Sequence, residues 1–389
     1  MSRITRFTSY RHDSAMLPTT TQRVWFGVLI LAAVILPLYL GTLVDGRSWL
    51  ILFATAFVAA IGAIGLNLIT GFAGQVSLGH AFFIGVGAYT ATALGSPAVH
   101  AADGSIDLIG FDLGMLIWIP AAGLVAMLAG VIVAPLAFRL EGLYLALVTL
   151  GLVFVGEHVF RNWDQLTGGM GLGREAAQLR VLGYRFDLDS EIFGFAIARE
   201  QQIYWLMLVF LIVMAVLAKN LVRSKDGRAF AAIRDRGVAA ELMGVDQTRY
   251  KTLAFAISSF YAGITGALLY TVTGFIEPSS FNLLLSIAYI AMVVIGGLAS
   301  IAGSIMGAIF ITLLPKLIEL TGLDALLGVI IDWIPLAEGG SGEPPLSSSQ
   351  LERILFGVLI IGFLILEPLG LYGVWIRIRN YWKAFPFSY

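Results

Sequence analysis

Pro278–Pro315 runs for 38 positions without a charged side chain. About 20 residues of helix already cross the hydrocarbon of a bilayer, so this run is too long for one span and fits two. We read them as Phe281–Ala299 and Ile301–Leu320, hinged near Ser300–Gly303. In hydrocarbon every backbone amide needs a partner, which leaves the helix as the spanning element for runs of this length. The same test gives Val24–Val44, Ser48–Thr70, Gly71–Leu94, Leu113–Phe138, Gly142–Phe160, Ile203–Leu221, Thr252–Ile276 and Leu351–Leu371. The expected fold is an all-α integral membrane protein of about ten transmembrane helices. Composition agrees, with 58% hydrophobic and 13% charged residues and a mean hydropathy of +0.88.

Several function classes fall away early. A net charge of −1 gives no ground for a nucleic-acid partner, and the absence of cysteine removes disulfides, thiolate metal sites and cysteine nucleophiles. The first apolar run follows Arg3, Arg6, Arg11 and Arg23, lacks a small-residue cleavage site and exceeds a signal-peptide core, so it reads as a retained span.

Lys and Arg placement orients the chain. Residues 1–23 hold four arginines and read as a cytoplasmic N-terminal segment. Residues 24–371 form the transmembrane domain, and residues 372–389, with Arg377, Arg379 and Lys383, a cytoplasmic C-terminal tail. The 96–112 loop, with Asp103, Asp107 and Asp112 and no Lys or Arg, falls outside. The outer loop 321–350 lies in an acidic stretch and includes the low-complexity run 337–349. The segment 222–251 falls inside, within a stretch carrying eight Lys/Arg. The outer loop 161–202, with GGMGLG and strand-like Leu179–Leu182 and Tyr184–Leu188, carries five Arg and fits least well.

The stretch 65–92 stands apart from the other spans. Asn67, Thr70, Gln75, Ser77, His80 and Tyr89 sit among glycines there, more hydrogen-bonding capacity than a lipid-facing helix can satisfy. These six residues are read as lining a translocation path. Ser77 and His80, three apart, share a face if the stretch is helical. Gly71 and Gly74 read as helix-packing residues, like Gly296, Gly297, Gly303 and Gly307 in a second glycine-rich stretch that holds a GxxxG. No second histidine or carboxylate near His80 completes a metal set, and no metal or cofactor is expected. Glu157 and His158 read as side chains snorkelling at a span end.

The inner segment Ser224–Lys251 has Ser224 or Asp226 to cap a helix, Gly237 to split it and Gly244 to end it. Its apolar positions fit either the lipid surface or a groove in a soluble partner. Alanines and a glycine favour close backbone approach, hence the partner. There is no GxxxxGK[ST], HExxH or GxSxG, so any ATP hydrolysis belongs to another subunit and the chain reads as no enzyme.

GLNLITGFAGQVSLGHAFFIGVGAYTA resembles the signature of the branched-chain amino acid permeases of ABC importers, in particular the M-type member of the permease pair. AAIRDRGVAAELMGVDQTRYKTLAFAISSFYAGITGALL is similar to that family's cytoplasmic coupling segment and the span after it, and IGGLASIAGSIMGAIF to its third motif. The resemblance covers roughly 50–320, with one departure at Arg236–Gly237, where acidic or apolar residues are commoner. It implies a multi-pass subunit of the bacterial inner membrane, paired with a related permease chain, two cytoplasmic ATPase subunits and an outer solute-binding protein. It also implies ATPase coupling through Arg228, Ile233, Arg234, Asp235, Ala239, Ala240, Glu241, Met243 and Gly244. Permeases for urea or short amides share the architecture. An ion-coupled secondary transporter and a channel-like structural subunit are the alternatives of other classes.

Overall fold

The computed structural model describes residues 20–41, 46–100, 106–140, 142–169, 173–175, 177–181, 184–186, 189–192, 195–321, parts of 357–367, and 370–384. Its helices are α1 (Thr20–Leu40), α2 (Gly46–Asn67), α3 (His80–Gly95), α4 (Met115–Arg139), α5 (Leu143–Asn162) and the single turn α6 (Asp164–Thr167). They continue with α7 (Arg199–Arg223), α8 (Lys225–Leu242), α9 (Gln247–Thr273), α10 (Leu283–Gly296), α11 (Ile301–Thr321) and α12 (Gly370–Ala384). Four antiparallel two-stranded ribbons interrupt the helical fold: β1 (Pro97–His100) with β2 (Ile106–Phe111), β3 (Arg174–Glu175) with β8 (Phe275–Ile276), β4 (Arg180–Val181) with β5 (Tyr184–Arg185), and β6 (Ser190–Ile192) with β7 (Phe195–Ile197).

Seven stretches among the described residues are long and apolar enough to cross a membrane: Arg23–Leu40, Gly46–Phe72, Met115–Pro135, Leu143–Asn162, Arg199–Arg223, Gln247–Thr273 and Pro278–Gly296. Ile301–Leu317 is apolar but shorter. The expected spans 351–371 (in large part), the loop 322–350 and residues 1–19 lie outside the described residues. The expected span Gly71–Leu94 needs correction. Helix α2 runs into a π-helical turn, Leu68–Phe72, residues 73–79 are not helical, and α3 starts only at His80. Ser77 and His80 therefore do not share a helix. The break in the second glycine-rich stretch falls at 297–300, slightly before the expected Ser300–Gly303 hinge, because Gly297 (φ 120°) and Ala299 (φ 55°) leave helical geometry there.

Burial sorts the helices into interior and lipid-facing. The apolar windows of α2 and α9 are 72% buried and that of α1 only 6%, so α1 leaves most of its apolar surface outside the packed interior of the chain. Pro37 in α1 has no amide to give Ala33, and the hydroxyl of Tyr204 on α7 donates to that carbonyl instead (3.0 Å). Small residues bring the interior helices together: Gly263 of α9 lies against Ala122, Gly123 and Ala126 of α4 on one side and Gly87 of α3 on the other. Gly296 and Gly303 likewise close the α10–α11 hairpin. Caps fix the ends of α9, where Asp246 accepts from the Arg249 amide (3.1 Å) and Gly274 sits at φ 86°.

The helices alternate between two ends of the molecule. One end carries α8. The ribbons occupy the other, and a buried arginine holds them there. Arg174, 4% exposed, donates to the carbonyls of Leu166 (3.1 Å), Thr92 (3.1 Å) and Ile109. It thus ties α6, the end of α3 and β2 together, and its burial pulls its pKa below the usual arginine value. Arg180 and Asp112 add an ion pair at 3.3 Å between the two loops.

Candidate functional site

The non-helical backbone at 73–79 exposes amides that a helix would have paired. Hydroxyls on neighbouring helices take them, as an apolar interior requires. The Leu78 amide donates to Thr149 Oγ1 on α5 (2.9 Å), and the Ala81 amide, in the first turn of α3, donates to Ser286 Oγ on α10 (3.0 Å). Both hydroxyl residues are fully buried. Neither was singled out from the sequence, although a lone hydroxyl inside an otherwise apolar span is the signal that could have found them.

Asn67 joins the two glycine-rich stretches. Its Nδ2 donates to Ser304 Oγ (2.7 Å) and to the Ser300 carbonyl (3.0 Å), and its Oδ1 accepts from the Ala299 amide (2.9 Å). The side chain, 1% exposed, therefore holds the non-helical residues 297–300 and the first turn of α11, together the 297–304 break. Gly71 sits in the same contact, where a β-carbon would fall against Asn67 Oδ1 and the Ala299 amide. Gly74 (φ 70°) lies beneath Arg234, and a β-carbon there would come within 2.7 Å of Arg234 Cγ.

The six polar residues of the stretch divide into two groups. Asn67 spends its capacity on the 297–304 break, and Ser77 Oγ accepts from the Gly79 amide (3.3 Å). Thr70 Oγ1, both amide atoms of Gln75, His80 Nε2 and the Tyr89 hydroxyl are buried without a protein partner. His80 packs edge-on to Tyr289 (5.1 Å between ring centroids). Tyr89 packs against Phe160 (5.1 Å) and Phe281 (5.4 Å), and Phe281 against Tyr270 (5.0 Å). This aromatic cluster draws on α3, α5, α9 and the turn before α10.

Helix α8 is capped by Ser224, whose Oγ accepts from the amides of Asp226 (3.1 Å) and Gly227 (3.4 Å). It bends at Arg236 (φ −155°, ψ 91°), one residue before the expected Gly237, and Gly244 (φ 84°) ends it. Arg234 Nη1 donates to the Gly71 carbonyl (3.0 Å) while its Nε donates to Asp235 (3.0 Å). A cavity of about 320 Å³ lies beside this contact, lined by Gly74, Gln75, Arg236 and Lys251 among others. Beyond the bend Ala239, Glu241 and Gly244 are exposed, with Val238 75%, Leu242 84% and Met243 85% exposed beside them. Ile233 and Ala240 turn inward. Arg228 sits in the first half of α8, near the Arg223 carbonyl (3.4 Å). Val238 and Leu242 were not singled out from the sequence. Of the other ionisable groups noted, Glu157 pairs with Arg161 one turn on, and Asn162 donates to the His158 carbonyl (2.7 Å).

A multi-pass membrane protein with two broken helix pairs joined through Asn67, the first of them bound to α8 through Arg234, fits the build of a transport permease. The comparisons define it further. Residues 48–364 match the model of the branched-chain amino acid transport system / permease component family, and the chain belongs to that family. It is 28% identical over 352 residues to the high-affinity branched-chain amino acid transport system permease protein LivM of Salmonella typhimurium, covering 86% of this chain and 77% of that protein. It is 26% identical over 259 residues to the LivH permease protein of Escherichia coli, covering 65% of this chain and 79% of the relative. It is also 26% identical over 230 residues to the autoinducer 2 import system permease protein LsrC of an Enterobacter species, covering 53% of this chain and 62% of that one. No solved structure matches the chain. The protein is a transport subunit of the inner membrane.

Proposed function

We propose that the chain is the M-type half of the permease pair in an ATP-driven importer for branched-chain or other small neutral amino acids. It is N-in and C-in with about ten spans. Its partners are a related permease chain, two cytoplasmic ATPase subunits and an outer binding protein. The observation that carries this reading is the bond from Arg234 on α8 to the Gly71 carbonyl, which puts the ATPase-facing segment in direct contact with the broken stretch. The tip formed by Val238, Ala239, Glu241, Leu242, Met243 and Gly244 docks in the ATPase. Movement of α8 then passes through Arg234 to Gly71 and through Asn67 to the 297–304 break.

Thr70, Gln75, His80 and Tyr89 line the path, and their unpartnered atoms offer hydrogen bonds to a passing neutral solute. Asn67 and Ser77 frame it. Selectivity rests with the binding protein, in keeping with relatives whose names attach them to solutes as different as branched-chain amino acids and autoinducer 2. The test is reconstitution with the candidate ATPases, partner permease and binding protein. Leucine uptake that requires ATP, together with water-borne thiol labelling at cysteines placed at 75, 80 and 89, is expected. Uptake that persists without any ATPase would sink the proposal.

A further inference from the structure

Helix α12, GLYGVWIRIRNYWKA, lies at the α8 end of the molecule. Its first residue, Gly370 (φ 65°), is seated on the α10–α11 break, where a β-carbon would fall within 2.8 Å of the Ile295 carbonyl oxygen and the Gly297 amide. Gly373 is buried against the chain. The opposite face carries Trp375 (51% exposed), Ile378 (47%) and Tyr381 (57%), spaced three apart so that they share one surface. Arg377 borders them and pairs with Glu367. The helix carries Arg377, Arg379 and Lys383 and no acidic residue.

We infer that α12 lies in the plane of the membrane surface and binds the anionic headgroups of the leaflet on the α8 side. Three features choose lipid over a protein partner. The exposed face is aromatic and aliphatic, with Trp and Tyr, the residues that settle where hydrocarbon meets headgroup. The charges on the helix itself are all positive, complementary to an anionic leaflet; Glu367, just before it, offsets Arg377 and leaves Arg379 and Lys383. The helix is also seated on the inner end of two membrane helices, so the bilayer surface is its immediate surroundings. The exposed tip of α8, built between 238 and 244 from valine, alanine, leucine, methionine, glycine and one glutamate, without aromatics or cations, is a different kind of surface. With α12 held by lipid, the 297–304 break has lipid-anchored support at Gly370 opposite its attachment to Asn67.

The chain has no cysteine, so single cysteines at Ile378 and Tyr381 can carry a solvatochromic probe without background. The full chain is reconstituted in vesicles of phosphatidylcholine alone and of phosphatidylcholine mixed with phosphatidylglycerol. Blue-shifted emission and quenching by lipids with a nitroxide near the headgroup are expected at both positions, stronger with phosphatidylglycerol. Arg379→Gln should weaken the phosphatidylglycerol preference about fivefold, the factor expected per cation near an anionic surface, and Arg377→Gln should weaken it less, because Glu367 already offsets that charge. Water-like emission with full access to aqueous iodide at both positions would overturn the inference. So would shielding that develops only when ATPase or partner permease is added, which would make the occupant a protein. Equal shielding in both lipids, unchanged by the two arginine substitutions, would overturn the anionic-headgroup part.

Discussion

Replacing Asn67 by alanine should loosen the 297–304 break without unfolding the chain. The side chain supplies donors to Ser304 Oγ (2.7 Å) and the Ser300 carbonyl (3.0 Å) and the acceptor for the Ala299 amide (2.9 Å). Each of the three bonds contributes about 1 kcal/mol net. The sum is about 3 kcal/mol, roughly a hundredfold in the open population of the break. The assay is amide hydrogen exchange on the purified chain. Exchange across 297–304 should accelerate about a hundredfold while that of α9 stays unchanged. Ser304→Ala, which removes one of the three bonds, should accelerate it about fivefold. Unchanged exchange across 297–304 in Asn67→Ala would refute the clamp. Acceleration spread evenly over α9 and the break would show instead that Asn67 supports the fold at large.

The other predictions follow from single contacts. Arg234→Ala should leave the assembled importer hydrolysing ATP while uptake per ATP falls several-fold in proteoliposomes, because the bond to Gly71 is gone. Arg234→Lys should recover little, since one ammonium cannot reproduce the guanidinium's two directed contacts. Leu242→Asp and Met243→Asp should leave the melting temperature of the isolated chain unchanged, as both side chains are more than four-fifths exposed. Both should cut recovery of the ATPase subunits in co-purification about tenfold, the effect of disrupting an interface centre. Arg174→Met should strip three carbonyls of their buried donor and cost on the order of 3 kcal/mol. Faster proteolysis of the 96–112 and 161–202 loops reads that loss.

Much of the helical frame was legible because apolar runs of spanning length leave the backbone little choice. Ser224 as a cap and Gly244 as a terminator were legible for the same reason, since each fills a position with a fixed geometric need. The course of 68–79 was not. Apolarity alone continues the helix through Gly71, whereas the π-helical turn and the non-helical residues after it lean on Thr149, Ser286 and Arg234, side chains of three other segments that satisfy backbone groups of Leu78, Ala81 and Gly71. Asn67 was recognisable as too polar for lipid, but its partner lies 232 residues away at Ala299, beyond any local pattern. Arg174 was only one of several arginines in a loop that fitted the charge rule poorly. Its partners sit on α6, α3 and β2, and nothing in its neighbourhood in sequence indicates them.

The pairing of β3 with β8 sets an order of events during synthesis. Arg174 lies opposite Ile276 and Glu175 opposite Phe275, so the first strand is made long before its partner exists. Until the chain has grown past α9, Arg174–Glu175 has no partner strand and presents a bare edge. A chain that stalls before Phe275 cannot close that ribbon, however well its earlier helices have formed.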